Sequence, residues 1–140
     1  MPRKLFLSLI VTLAALAGCD SDAAQGRLAE AVRQLQRNLD TRATAAVADQ
    51  LHTDFRAQGR YDRDWAVRTL AQLHAEPRPV RFITLGKTSR IDRVYTERGR
   101  TQLEVAMRGD LMPERSRPYS VRLEWWQDGE TWKLARLDWQ

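Results

Sequence analysis

The chain has 140 residues, 43% of them hydrophobic and 29% charged, with a formal net charge of +5 at neutral pH. That length makes one domain able to bury a core of its own. A single cysteine excludes an intrachain disulfide, and two histidines 22 positions apart offer no metal site. Arginine outnumbers lysine, but the arginines are scattered among acids from Arg27 onward. They read as solvated charge, with a weak attraction to anionic lipid headgroups left open and no nucleic-acid stripe.

Arg3 and Lys4 precede an uncharged run, Leu5 to Ala17. As a helix that run spans about 20 Å, short of the roughly 30 Å hydrocarbon core. A basic tip, a short apolar stretch and small residues at its end describe a secretory signal rather than a membrane span. Leu16-Ala17-Gly18-Cys19 resembles the lipobox of bacterial lipoproteins. The resemblance implies a diacylglycerol on the Cys19 thiol, cleavage before Cys19 and acylation of the new amino group. Two or three acyl chains hold a protein on a membrane where one does so only marginally. The bland alternatives are a buried cysteine in an N-terminal helix, or secretion after a cut elsewhere. The expected organisation is therefore a signal over 1–18, a tether over 19–25 and a domain over 26–140. The expected address is the bacterial cell envelope, lipid-anchored and facing the periplasm. Asp20 resembles the inner-membrane retention signal of enteric bacteria, or is simply the first residue of a solvated tether; the choice of membrane stays open.

After the tether, Leu28, Val32, Leu35 and Leu39 recur at helical spacing, with Glu30, Arg33 and Arg37 opposite. Thr41 begins a second, shorter helix running through His52, closed by Asp54 and Phe55. The stretch 56–62 carries a glycine and suits a turn or small hairpin. Asp62 is placed to N-cap a third helix from Arg63 to about Ala75, with Trp65, Ala66, Thr69, Leu70 and Leu73 inward and Pro77 and Pro79 ending it. From Val80 the period falls to two. Strands are expected over 80–86, 88–97, 101–111, 119–127 and 131–139, with Asp128-Gly129 as a hairpin turn. Trp132 and Leu134 differ in parity from Leu137 and Trp139, which predicts a bulge near Ala135 or Arg136.

Helices first and consecutive strands after them predict an α+β fold, with N-terminal helices packed on a curved antiparallel sheet. The order of three pieces resembles the NTF2-like superfamily, including its SnoaL-like members. They are the small-residue helix running into "RATAAVADQLHTDF", the third helix "YDRDWAVRTLAQL" and the terminal hairpin "WWQDGETWKLARLDW". The likeness spans roughly residues 25 to 140. It implies a cone whose bent sheet and helices enclose a pocket, in a family holding isomerases, dehydratases, epoxide hydrolases and non-catalytic binders.

Enzymes of that fold use an aspartate or histidine, sometimes with a tyrosine, inside the cone. The candidates are His52, Asp54 and Tyr61, with Asp62 and His74 more simply read as helix-end residues. The inward strand positions are apolar: Leu103, Val105, Met107, Tyr119, Val121, Leu123 and Trp125, joined by Trp65 from the third helix. Such a face makes a packed core or a dry pocket for a hydrophobic molecule. The leading expectation is a membrane-anchored, non-catalytic domain that binds a small apolar ligand or a protein partner, with no cofactor and no metal. The alternatives are a small isomerase or hydrolase using Asp54 or His52, and a structural module that pairs as a homodimer through the sheet.

Overall fold

The computed structural model describes residues 3–77, 81–108 and 117–140, with side chains at 22–77, 81–107 and 117–140. Helix α1 (Arg3–Asp40) leads into α2 (Thr44–Gln50), β1 (Leu51–Ala57), β2 (Tyr61–Asp62) and α3 (Arg63–Ala75). Strands β3 (Arg81–Ile91), β4 (Arg98–Arg108), β5 (Tyr119–Asp128) and β6 (Thr131–Trp139) follow. They form one six-stranded sheet in the order β2-β1-β6-β5-β4-β3. Among the described residues no helix is long and apolar enough to cross a membrane.

The amphipathic stripe of α1 packs as its spacing predicts. Leu28, Val32 and Leu35 are buried, and Glu30 lies on the solvent side, accepting from Arg33 and Arg37. The stretch 19–25, expected as a tether, lies within helix α1. Gln25 gives the reason: its amide donates to the Ser89 carbonyl at 3.1 Å and accepts from the Ile91 amide at 3.3 Å. The side-chain amide substitutes for a neighbouring strand and satisfies edge groups of β3. Gln58 does the same at the other end of the fold, exchanging hydrogen bonds with the Trp139 backbone.

Two strand assignments differ from the sequence reading. Residues 51–57 are β1, not the end of a helix. Leu51, Phe55 and Ala57 are buried, and the spacing of four between the first two fits a helix face and a strand face equally. A parallel partner 80 positions downstream decides the matter, since β1 pairs with β6. The sheet is thus mixed rather than wholly antiparallel. The predicted strands over 80–86 and 88–97 are one strand, β3, followed by a turn over 92–97 in which Asp92 Oδ1 accepts from the Val94 and Tyr95 amides. These two bonds hold the Asp92 carboxyl below its ordinary value, the Tyr95 amide contributing most.

The Asp62 cap and the terminal hairpin form as expected. Asp62 Oδ1 accepts from the Trp65 amide at 2.9 Å. Gly129 takes φ +63° at the first position of the two-residue turn between β5 and β6. Ala135 is the extra residue of a bulge: Leu134 pairs with Trp125 and Arg136 with Glu124.

The narrow end of the fold is sealed. Leu28 of α1 sits on Gly99 so closely that a Cβ there would lie 2.8 Å from Leu28 Cδ2. Gly99 pairs with Trp125, and Trp125 Nε1 donates to Thr101 Oγ1, which also shares a hydrogen bond with Ser89 Oγ. Thr101 is fully buried. Thr101→Val should therefore cost about 1–3 kcal/mol in urea unfolding, because it strands the indole N–H away from water.

Candidate functional site

Beyond that seal the sheet curves away from the helices and leaves a cavity of about 500 Å³. Its walls come from four directions. Helix α1 contributes Val32, Leu35 and Leu39; α3 contributes Trp65, Leu70 and Leu73; β4 and β5 supply the sheet wall; Phe55, Leu134 and Leu137 close the back. Helix α3 carries no buried residue despite its apolar face. Its inward side chains, Trp65, Ala66 and Leu70, are half-buried: they pack on the edge of the core and also border the cavity.

The mouth is marked by lining residues that are also exposed. They are Gln36 and Asp40 at the end of α1, and Phe82 and Lys87 on β3. The opening therefore lies between the C-terminal half of α1 and the edge strand. Lys87 reaches the cavity through a second bulge. Thr84 pairs with Val105 and Gly86 with Glu104, so Leu85 is extra and the parity of β3 flips there. Phe82, Thr84 and Lys87 consequently share the inner face, while Leu85 is 62% exposed. A local break in alternation at Leu85-Gly86 was the available signal for this.

Of the apolar positions singled out from the sequence, Trp65, Leu103, Val105, Met107, Tyr119, Val121 and Leu123 line the cavity. Trp125 does not. It has the same parity as Val121 and Leu123, but it lies at the sealed end beneath Leu28 and is wholly buried. The α1, β3 and β6 contributions were not assigned to a pocket from sequence, because residues this far apart converge only through the sheet.

The candidate catalytic groups lie elsewhere. None of His52, Asp54 and Tyr61 lines the cavity. His52 stands on the outer face of the sheet, where its ring meets Trp126 edge-on at 4.9 Å. Its Nδ1 accepts from the Asp54 amide at 3.0 Å, so the neutral ring carries its proton on Nε2. Asp54 is exposed and does not cap a helix; its carbonyl accepts from Arg136 Nη1 at 2.8 Å. Tyr61 stacks on Trp65 at 4.3 Å, and the Arg60 guanidinium lies 4.7 Å from the Tyr61 ring centroid. The strand conformation of β1 causes this dispersal: Phe55 turns in, and His52 and Asp54 turn out. Among the described residues no group of three or more histidine, cysteine, aspartate or glutamate side chains could hold a metal.

His74 is partly buried and bridges two helices, its Nδ1 lying 2.7 Å from Thr44 Oγ1. Burial first, then the Arg42 charge, pushes its pKa below the ordinary value. A helix-end dipole would act the other way, so burial outweighs it. With the folded value lowered, this contribution is whole above about pH 6.5 and is lost as the pH falls below it. His74→Gln should accordingly lose less Tm than the natural chain between pH 7.5 and pH 5. Equal losses would show that His74 plays no part.

A cavity of this make can enclose an apolar molecule and exclude water. Its ionisable lining groups are Asp40 and Lys87 at the solvent rim and the half-buried Tyr119; acid–base chemistry on a carbon centre needs a shielded group placed against the substrate.

The fold is NTF2-like, with helices packed on a curved mixed sheet. It is similar to an NTF2-like protein of unknown function from Pseudomonas putida, at a TM-score of 0.67 and 10% identity, covering 86% of this chain and 87% of that one. It is similar to an NTF2-like protein from Cytophaga hutchinsonii, at a TM-score of 0.63 and 11% identity, covering 81% and 93%. A candidate ketosteroid isomerase from Shewanella frigidimarina aligns at a TM-score of 0.63 and 12% identity, covering 84% and 94%. No family model matches the sequence, and no curated protein matches it. At such identities the likeness is one of fold.

Proposed function

We propose that this chain is a lipid-anchored protein of the bacterial cell envelope, acylated at Cys19 and facing the periplasm. Its NTF2-like domain holds a small apolar molecule rather than transforming one. The observation that carries the binding half is the cavity of about 500 Å³ with its apolar walls. That size falls within the range of small-molecule sites. The anchoring half rests on the sequence before Asp20, and the Cys19 side chain lies outside the described residues. The packing of α1 is compatible with cleavage before Cys19. Gln25 makes a long-range hydrogen bond and Leu28 joins the core, both downstream of the cut.

The positions of His52, Asp54 and Tyr61 give no support to an isomerase or hydrolase built on them. A homodimer through the outer sheet face is also less favoured. Trp126, an aromatic residue of that face, is overlain by Arg136 at 4.7 Å and Arg98 at 5.4 Å, which places charge over its ring.

Mass spectrometry of the natively purified protein tests both halves. The expected spectrum has no Met1 peptide, a diacylglyceryl-modified Cys19 at the N-terminus, and under gentle ionisation a retained apolar compound. Full-length chain free in the cytosol would overturn the anchor. A chain that arrives empty and does not enhance the fluorescence of N-phenyl-1-naphthylamine would overturn the ligand.

A further inference from the structure

We propose that an arginine-lined groove on the outer face of the sheet binds the phosphates of anionic phospholipids in the membrane that carries the anchor. The groove, about 420 Å³, lies across the end of β3, the turn after it, the start of β4 and the middle of β5, and is lined by Arg90, Arg93, Arg98 and Arg100, with Asp92 and Glu124 as its acids. This inference rests on the lipid-anchor reading of Cys19.

The charges in the groove do not balance. Strand register places Arg90 directly opposite Arg100, and Arg100 opposite Glu124. Like charges facing across a ladder are unfavourable. Glu124 pairs with Arg98 at 3.8 Å, and Arg98 also lies over the Tyr95 and Trp126 rings. The Asp92 carboxylate is occupied by two backbone amides of its turn. Among the described residues, the side chains of Arg90, Arg93 and Arg100 make no hydrogen bond and no ion pair, although the Arg100 charge is felt by the Asp92 carboxylate. Three exposed guanidiniums around one groove, short of carboxylates, match phosphate oxygens, which a guanidinium grips in a planar fork.

The position of the groove identifies which phosphates. Gln25 clasps Ser89 and Ile91, the residues on either side of Arg90. Helix α1 therefore meets the sheet at the β3 edge that carries Arg90, packing on the inner face while the groove opens on the outer one. Cys19 and Gln25 are six positions apart along the helix, which is about 9 Å. The headgroup layer of one leaflet is roughly 5–7 Å thick. An acylated Cys19 thus holds the groove at the membrane surface. Asp20 and Asp22 intervene and bring negative charge of their own, which the groove arginines offset.

The test uses the full chain with phosphatidylcholine vesicles, alone or with phosphatidylglycerol, by co-sedimentation at low and high salt. Phosphatidylglycerol should raise binding of the natural chain about tenfold or more at low salt, since each surface arginine adds several-fold, and salt should remove the gain. R90A/R100A should lose most of that gain. R122A, a neighbouring outer-face arginine that does not line the groove, should keep it. Amide exchange over 88–100 should slow on the anionic vesicles. An undiminished gain in R90A/R100A overturns the proposal. So does an equal loss in R122A, which would mean diffuse charge, or tight binding of inorganic pyrophosphate without vesicles, which would mean a soluble-anion site. Attachment to phosphatidylcholine alone reports on the anchor separately. If it is absent while the phosphatidylglycerol gain persists, the anchor reading fails and the groove stands; the converse sinks the groove alone.

Discussion

Trp125→Ala should lower the stability of this protein by about 3–5 kcal/mol, the range for removing a large aromatic side chain from a closed core. Trp125 is wholly buried between the Leu28 contact and the sheet, and its indole N–H is satisfied by Thr101. Truncation opens a void under Leu28 and leaves Thr101 without its donor, so the transfer and hydrogen-bond losses act together. Small domains have only about 5–15 kcal/mol in hand, so the variant stands near the edge of folding. The neighbouring Trp126→Ala is the control. Trp126 is partly exposed on the outer face, its contacts are guanidiniums and an imidazole ring, and its indole N–H has no partner. Its loss should cost about 1 kcal/mol or less. Urea unfolding of both variants decides it, and equal costs would mean that the seal at Gly99 is not where the stability lies.

Filling the cavity should abolish apolar-ligand binding without unfolding the domain. Leu103→Trp places bulk on the sheet wall and Leu70→Trp places it on the α3 wall. Each should weaken N-phenyl-1-naphthylamine binding about tenfold to a hundredfold. The reason is that two or three methylene-equivalents of ligand burial are displaced, at about 0.8 kcal/mol each. In a packed core such insertions cost typically 1–3 kcal/mol through strain. Here the added ring enters space already empty, so Tm should hold or rise. Wild-type affinity in both variants would show that the probe binds elsewhere. A large fall in Tm with both would show that the space between α3 and the sheet is closed in solution.

Several features were legible because they are local. The α1 stripe, the Asp62 cap of α3, the alternation in β4 and β5 and the Gly129 turn each depend on residues within a few positions of one another. Even the Ala135 bulge showed itself, as a parity break between Trp132-Leu134 and Leu137-Trp139. The misreadings have one source. Residues 51–57 have an apolar spacing that two conformations share, and the choice came from β6, more than 70 residues away. The end of β3 was split into two strands because the Leu85 bulge hides its continuity, which only the unbroken pairing with β4 reveals.

The same division holds for the site. The amino-acid order alone establishes the apolar parity of β4 and β5 and the inward row of α3, because side-chain direction in a regular element follows from its period. It also carries the cysteine after Leu-Ala-Gly at the end of an apolar run. What only the tertiary structure decided is which part of that apolar face is filled and which is hollow. Trp125 and Leu123 have the same parity, yet Leu28 packs over one end of the sheet while the other curves away from the helices. It likewise decided that His52 and Asp54 face outward, and that Arg90 and Arg100 stand opposite each other near the β3 edge that α1 meets. Burial and charge balance depend on neighbours distant in the chain, and no local pattern encodes those distances.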